Sequence, residues 1–130
     1  MEDDGAVKLV RQPPDVVAEA WIRCRAGEGA RADWKLLTKH YLALLEQRAP
    51  GNSVEVRVPP YAAVQVVPGV RHTRGTPPAV VELDAETWIG LARGDLTFAE
   101  ADADGRVRAS GERADISPYL PLEGTDTATG

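Results

Sequence analysis

Hydrophobic positions along this chain of 130 residues first recur at helical spacing and then switch to strict alternation. Between Pro13 and Cys24, the apolar Val17, Ala20, Trp21 and Cys24 fall on one helical face, and "GEG" at 27–29 stops the run. Proline costs little in a first helical turn, because the amide it lacks has no partner there. A second helix is predicted over 31–48. In it Trp34, Leu37, Tyr41, Leu44 and Leu45 make one stripe, while Asp33, Lys35, Lys39 and Glu46 lie largely off it. Proline and glycine in "APGN" at 49–52 end it. After them "SVEVRVPP" alternates Val54, Val56 and Val58 with Glu55 and Arg57, the pattern of a strand with one wet face. Pro59 and Pro60 break that ladder. A second strand, "YAAVQVV" at 61–67, is stopped by Pro68 and Gly69, and "PAVVEL" at 78–83 is a third.

The period lengthens again after Leu83. Asp84 is placed to cap a helix with Glu86 in its first turn, Trp88, Leu91 and Ala92 on its apolar face and Gly94 at its end. "TFAE" at 97–100 is a capping box, in which the Thr97 hydroxyl and the Glu100 carboxylate each satisfy an amide the helix leaves unpaired. Gly105 closes this short helix. "RVRAS" at 106–110 is a fourth strand, with Val107 and Ala109 inward and Arg106 and Arg108 toward water. The apolar segment 114–122 is predicted as a short closing helix, limited by Pro118 and Pro121. This order predicts an α+β fold: a mostly antiparallel twisted sheet of four to five strands with helices on one face. A single domain is expected over 13–122, helical over 13–50 and carrying the sheet and closing helices over 53–122. A flexible N-terminus at 1–12 and a disordered tail at 123–130 flank it.

Composition adds bounds to this picture. The chain is 43% hydrophobic and 27% charged, an ordinary globular balance. Its net charge is -5, with all of the acidic excess beyond residue 53, which argues against nucleic acid or an anionic membrane surface as partner. The one cysteine, Cys24, rules out an internal disulfide and fits a reducing compartment. The acidic opening "MEDDGAVKLV" does not read as a secretory signal. No stretch approaches the ~20 apolar residues of a membrane-spanning helix. The expectation is a cytoplasmic protein without stable membrane insertion.

Few residues carry candidate chemistry. "GEGARA" at 27–32 matches half of a dinucleotide-binding fingerprint, but that turn has to follow a strand and here follows a helix, so it reads as an inter-helix turn. "EADADG" at 100–105 looks like the start of a calcium loop. Its closing bidentate ligand would fall on Gly111, and Arg106 and Arg108 would flank the ion, so a solvated helix end is expected. His40, His72 and Cys24 are too scattered to predict a metal site, and nothing sets a base beside Cys24; His40, between charged and apolar neighbours on the long second helix, is expected to be half exposed. "RGD" at 93–95 reads as a helix stop. The main polar cluster is "GVRHTRGTPP" at 69–78, where Arg71, His72 and Arg74 join Thr73 and Thr76 between two strands. Guanidinium forks there suit a carboxylate or phosphate head group, the alternative being a solvated hairpin tip. No cofactor is expected.

The segment "VELDAETWIGLARGDLTFAEADADGRVRASGERADISPYLPL" at 81–122, preceded by "VEVRVPPYAAVQVV" and "RHTRGTPPAVVE", resembles the sterol carrier protein family in its bacterial orthologue branch, over 53–122. The resemblance implies a twisted sheet under helices and an elongated apolar tunnel between them. Such a tunnel holds an acyl chain, an acyl-CoA or a sterol-like ligand without catalysis. On that reading Val56, Val66, Trp88, Leu91, Phe98, Ile116, Tyr119 and Leu120 are wall residues, and Arg71, His72 and Arg74 meet the head group. "GRVRASGERADISPYLPL" at 105–122 then supplies a half-buried strand and a lid. The partner is an apolar or amphipathic small molecule. The alternative, of a different class, is a non-catalytic interaction or regulatory module with its cavity closed, whose partner is a second copy or another protein. A third reading builds an enzyme on His72 and the nearby arginines.

Overall fold

The computed structural model of the chain describes residues 9–69, 79–111 and 114–123. Its elements are α1 (Pro14–Arg25), α2 (Arg31–Arg48), β1 (Val54–Val58), β2 (Ala62–Val66), β3 (Ala79–Leu83), α3 (Ala85–Arg93), α4 (Phe98–Ala103), β4 (Val107–Ser110) and a 3-10 turn at Ser117–Tyr119. The helix ends follow local chemistry. Asp33 accepts the Ala30 backbone N–H at 2.9 Å and a two-pronged contact from Arg23 at 2.8 and 3.1 Å, so one carboxylate opens α2 and ties it to the end of α1. Those donors hold the Asp33 carboxyl below the usual carboxylate range. Asp84 caps α3 by accepting the Thr87 N–H at 2.8 Å. Thr97 and Glu100 form the reciprocal capping pair of α4. Gly94 ends α3 at φ +88°, a left-handed conformation that glycine adopts without steric cost.

The strands lie in the order β2-β1-β3-β4. β1 pairs antiparallel with β2 but parallel with β3, and β3 pairs antiparallel with β4. The four-stranded sheet is therefore mixed, where alternation alone predicted a mostly antiparallel one. The reason lies in the chain path. β2 finishes beside the start of β1, with Val66 opposite Val54, and β3 begins at that same end, with Ala79 opposite Val54. The chain has thus returned along β2 and passed to the far side of β1 before running parallel to it. Ser53 is the pivot. Its N–H and hydroxyl both donate to the Val67 carbonyl, at 3.1 and 2.7 Å, and its own carbonyl accepts from the Ala79 N–H at 3.1 Å. Val67 takes φ +73°, strained for a β-branched residue, and its N–H donates to the Ala49 carbonyl at 2.6 Å.

One face of the sheet is buried. Val54, Val56, Val58, Val64, Val66, Val81, Leu83 and Val107 join the core, while Glu55, Arg57, Ala63, Gln65, Glu82 and Arg108 on the other face are exposed or half-buried. α2 packs on β2, and both α1 and α3 pack on α2. Ala109, expected to face inward beside Val107, stands opposite Val81 yet is exposed, because β4 is an edge strand.

The predicted closing helix is instead an extended strap with a single 3-10 turn. The Asp115 carboxylate accepts the Ser117 N–H at 2.9 Å, and Pro118 and Pro121 lack the amides a longer helix would need. Ile116 and Leu122 from this strap are buried in the core. Two described residues outside the expected 13–122 domain are attached to it. Leu9 packs against the core, and Glu123, assigned by composition to a loose tail, is held by two side chains of the domain.

Candidate functional site

Every wall residue predicted from the sequence is placed, and they divide into two groups. Val56, Val66, Trp88, Leu91 and Ile116 meet in one apolar cluster with Leu37, Tyr41, Leu45 and Ile89. Phe98, Tyr119 and Leu120 are half-buried at its border. Val56, Val66, Trp88 and Ile116 are 0% exposed and Leu91 is 1% exposed. A hollow of water size beside any of them would leave accessible surface, so in this conformation their side chains are packed on all sides. The candidate head-group residues Arg71, His72 and Arg74 lie outside the described residues. β2 and β3, which they connect, are not paired with each other.

A polar feature sits inside this core. Trp88 reaches α2 and donates its indole Nε1–H to the Thr38 carbonyl at 3.3 Å. The Thr38 hydroxyl beside it is fully buried and has no hydrogen-bond partner among the described residues. Leaving such a group unmatched costs about 1–3 kcal/mol. Helical spacing placed Thr38 one turn after Trp34, but no sequence signal marks an unpartnered hydroxyl.

The strap is fastened by a network that sequence reasoning missed. Tyr41 donates its hydroxyl to Glu123 at 2.7 Å, and Arg93 donates to both the Tyr41 oxygen at 3.0 Å and Glu123 at 3.2 Å. The Arg93 guanidinium also stacks on the Trp21 ring, 4.8 Å from its centre. Arg48 donates to the carbonyls of Tyr119, Pro121 and Leu122, and the N–H groups of Leu122 and Glu123 both reach the Ala92 carbonyl. Burial and the Glu123 contact hold the Tyr41 phenol protonated far above its ordinary range. Arg93 had been read as part of a helix stop and Glu123 as tail. Tyr41 and Glu123 are 82 positions apart, so no local pattern announces their contact.

His40 is buried, not half exposed as its charged neighbours suggested. Its Nδ1 accepts the Gln12 N–H at 2.9 Å, which clamps the segment before α1 onto α2. Burial lowers its pKa below the usual 6.5, with Arg11 lowering and Glu123 raising it to lesser degrees. The unfolded chain therefore binds this proton more readily than the folded one. The stability contributed by neutral His40 is full above the unfolded value and declines as pH falls through the folded one. Urea unfolding at pH 7.5 and pH 5.5 is expected to show a drop toward acid that is smaller in His40→Gln. Equal drops in both proteins would refute the assignment.

Cys24 is buried, and burial raises its thiol pKa, so it packs as a small apolar side chain. Among the described residues, no group of three or more His, Cys, Asp or Glu side chains gathers as a metal centre would need. Among them, too, no helix is long and apolar enough to cross a membrane. What the described residues provide is a large apolar interior, a buried hydroxyl without a partner at Thr38 and a fastened cover.

No curated protein matches this chain. A family model described as "Bacterial SCP ortholog", SCP denoting sterol carrier protein, matches residues 30–122. The match begins one residue before α2 and ends within the strap, so it takes in α2, which the resemblance read from the sequence over 53–122 had left aside, and excludes α1. With well over half its length covered, and that part coinciding with the sheet and most of what roofs it, the chain belongs to the sterol carrier protein family, in its bacterial orthologue group.

Proposed function

We propose that this protein is a non-catalytic carrier of an apolar or amphipathic small molecule: an acyl chain, an acyl-CoA or a sterol-like ligand. The observation that carries the reading is the family match over 30–122, because it spans the sheet, the helices α2 to α4 above it and the strap as one unit. The family suggests a lipid-binding carrier role in general. The unpartnered Thr38 hydroxyl adds support, since a ligand's polar atom inside the core would supply the missing partner. The ligand would lie between the sheet and α2–α3, walled by Val56, Val66, Trp88, Leu91 and Ile116, with Phe98, Tyr119 and Leu120 at the border. Arg71, His72 and Arg74 are proposed as its head-group contacts.

Because the wall residues are packed together, loading requires repacking. Burying a CH₂ group returns about 0.8 kcal/mol, so a chain of roughly ten carbons offers on the order of 8 kcal/mol against that cost. Native mass spectrometry of freshly purified protein tests the reading. A bound lipid mass, displaced by a fluorescent fatty acid, is the expected result. The full burial of Val56, Val66, Trp88, Leu91 and Ile116 favours one competing reading, a closed interaction module. A bare mass in repeated preparations, with no response to the fluorescent fatty acid, would decide for that module.

A further inference from the structure

α1 lies outside the span matched by the family model, yet it is tied to the rest of the chain at both ends and near its middle. Just before it, Gln12 donates its N–H to His40 at 2.9 Å and Arg11 donates to Gln47 at 3.3 Å. Near its far end Arg23 grips Asp33 in the first turn of α2 with two hydrogen bonds. These contacts fix α1 along α2. Between them the half-buried Trp21 reaches α3, where its ring covers the Arg93 guanidinium, 4.8 Å from the ring centre.

Arg93 is the residue that carries this contact to the strap. Its Nη1 donates to the Tyr41 oxygen and to one oxygen of Glu123, while the Tyr41 hydroxyl donates to the other. The three side chains close a ring around the end of the strap. Arg93 is incompletely bonded in it, because its Nε–H is buried and without a partner among the described residues. A guanidinium bonded through a single nitrogen lacks the two-pronged contact that would fix its plane. Trp21 fixes that plane from behind, by covering one face and keeping water from it. The Arg93 and Glu123 side chains are 24% and 35% exposed, so without that cover theirs becomes an ordinary solvated ion pair, which adds little.

We propose that α1 is an intramolecular latch on the strap: Trp21 holds Arg93 on Glu123, and the strap opens more readily once α1 lifts. The strap depends on such side-chain help because its own backbone is sparsely bonded. The Leu122 and Glu123 amides share one acceptor, the Ala92 carbonyl, and Pro118 and Pro121 have no amide to offer. Arg48 holds the strap carbonyls from α2 independently of α1, so the latch sets the ease of opening and does not by itself dock the strap. Trp21 is therefore a positioning residue that acts through Arg93. This device goes beyond the carrier reading and stands whether or not the core takes a ligand.

Hydrogen exchange of the full chain, followed by two-dimensional NMR, tests the latch through the ratio of exchange at Leu122 and Glu123 to exchange in β1. Trp21→Leu keeps apolar bulk on α1 but offers no ring to a cation, and it is expected to raise that ratio about fivefold. Trp21→Phe restores a ring and should return the ratio most of the way to the parent value. Arg93→Gln should raise it at least as far as Trp21→Leu. Adding Trp21→Leu to Arg93→Gln should change nothing more, because both act on one contact. Ile22→Ala, beside Trp21 but at a residue 61% exposed, should leave the ratio as it is. An unchanged ratio in Trp21→Leu overturns the latch, as does a Trp21→Phe ratio just as high. So do additive effects in the double variant and a rise in Ile22→Ala. Should Trp21→Leu not fold, Arg93→Gln decides alone, and an unchanged ratio there overturns the proposal.

Discussion

Trp88→Ala is expected to lower the stability of this protein by about 3–5 kcal/mol, the range for truncating a fully buried large aromatic residue. Trp88 is the largest of the fully buried side chains, and its indole bridges α3 to the Thr38 carbonyl on α2. Truncation empties the space between the two helices and removes the hydrogen bond together. Neither helix can close the gap freely, because α2 is bound to β2 and α3 is stopped by the strap contact at Ala92. Small domains have about 5–15 kcal/mol in total, so the loss is a large share of it. Urea unfolding should show a much lower midpoint with an unchanged slope. Trp88→Phe, which keeps most of the volume, should cost less than half as much. A loss below about 1 kcal/mol for Trp88→Ala would mean that the packing around the indole is loose and the core already hollow.

The second large effect is expected at Ile116→Ala, about 2–4 kcal/mol by the same cavity argument. Ile116 is 0% exposed although its neighbours Asp115 and Ser117 are exposed, so this one side chain roots the strap in the core. Its loss should act locally before it acts globally. The Leu122 and Glu123 amides, held by the Ala92 carbonyl, should exchange with solvent by a lower-energy opening than the amides of β1. In the parent protein the Arg48 and Arg93 contacts keep those amides protected. Hydrogen exchange that rises equally in β1 and in the strap would show that the strap does not open by itself.

These two sites show how unevenly the fold was legible. The bounds of α2, Arg31 to Arg48, were readable because its stripe repeats over five turns and glycine and proline bracket it. The caps at Asp84 and Thr97 were equally plain, since a side chain and an amide three residues apart settle them. Valine alternation identified the buried face of β1 correctly. Trp88 was recognised as an interior residue from helical spacing, and Ile116 as one from the family resemblance. The strap was not, because two prolines within four residues defeat helical periodicity while leaving the apolar pattern in place. His40 was misjudged for a related reason, its cover coming from residues before α1 and not from its own helix.

What the sequence by itself determined is the helices α1 to α4, the strands β1 to β4 and the inward sides of α3 and β1, all consequences of interactions within a few residues. The tertiary structure alone decided that β3 pairs with β1, that Arg93 and Glu123 fasten the strap through Tyr41, and that the Trp88 indole reaches the Thr38 carbonyl. Those pairings join segments 20 to 80 residues apart, whose encounter depends on how the whole chain closes over its core and leaves no trace in local periodicity.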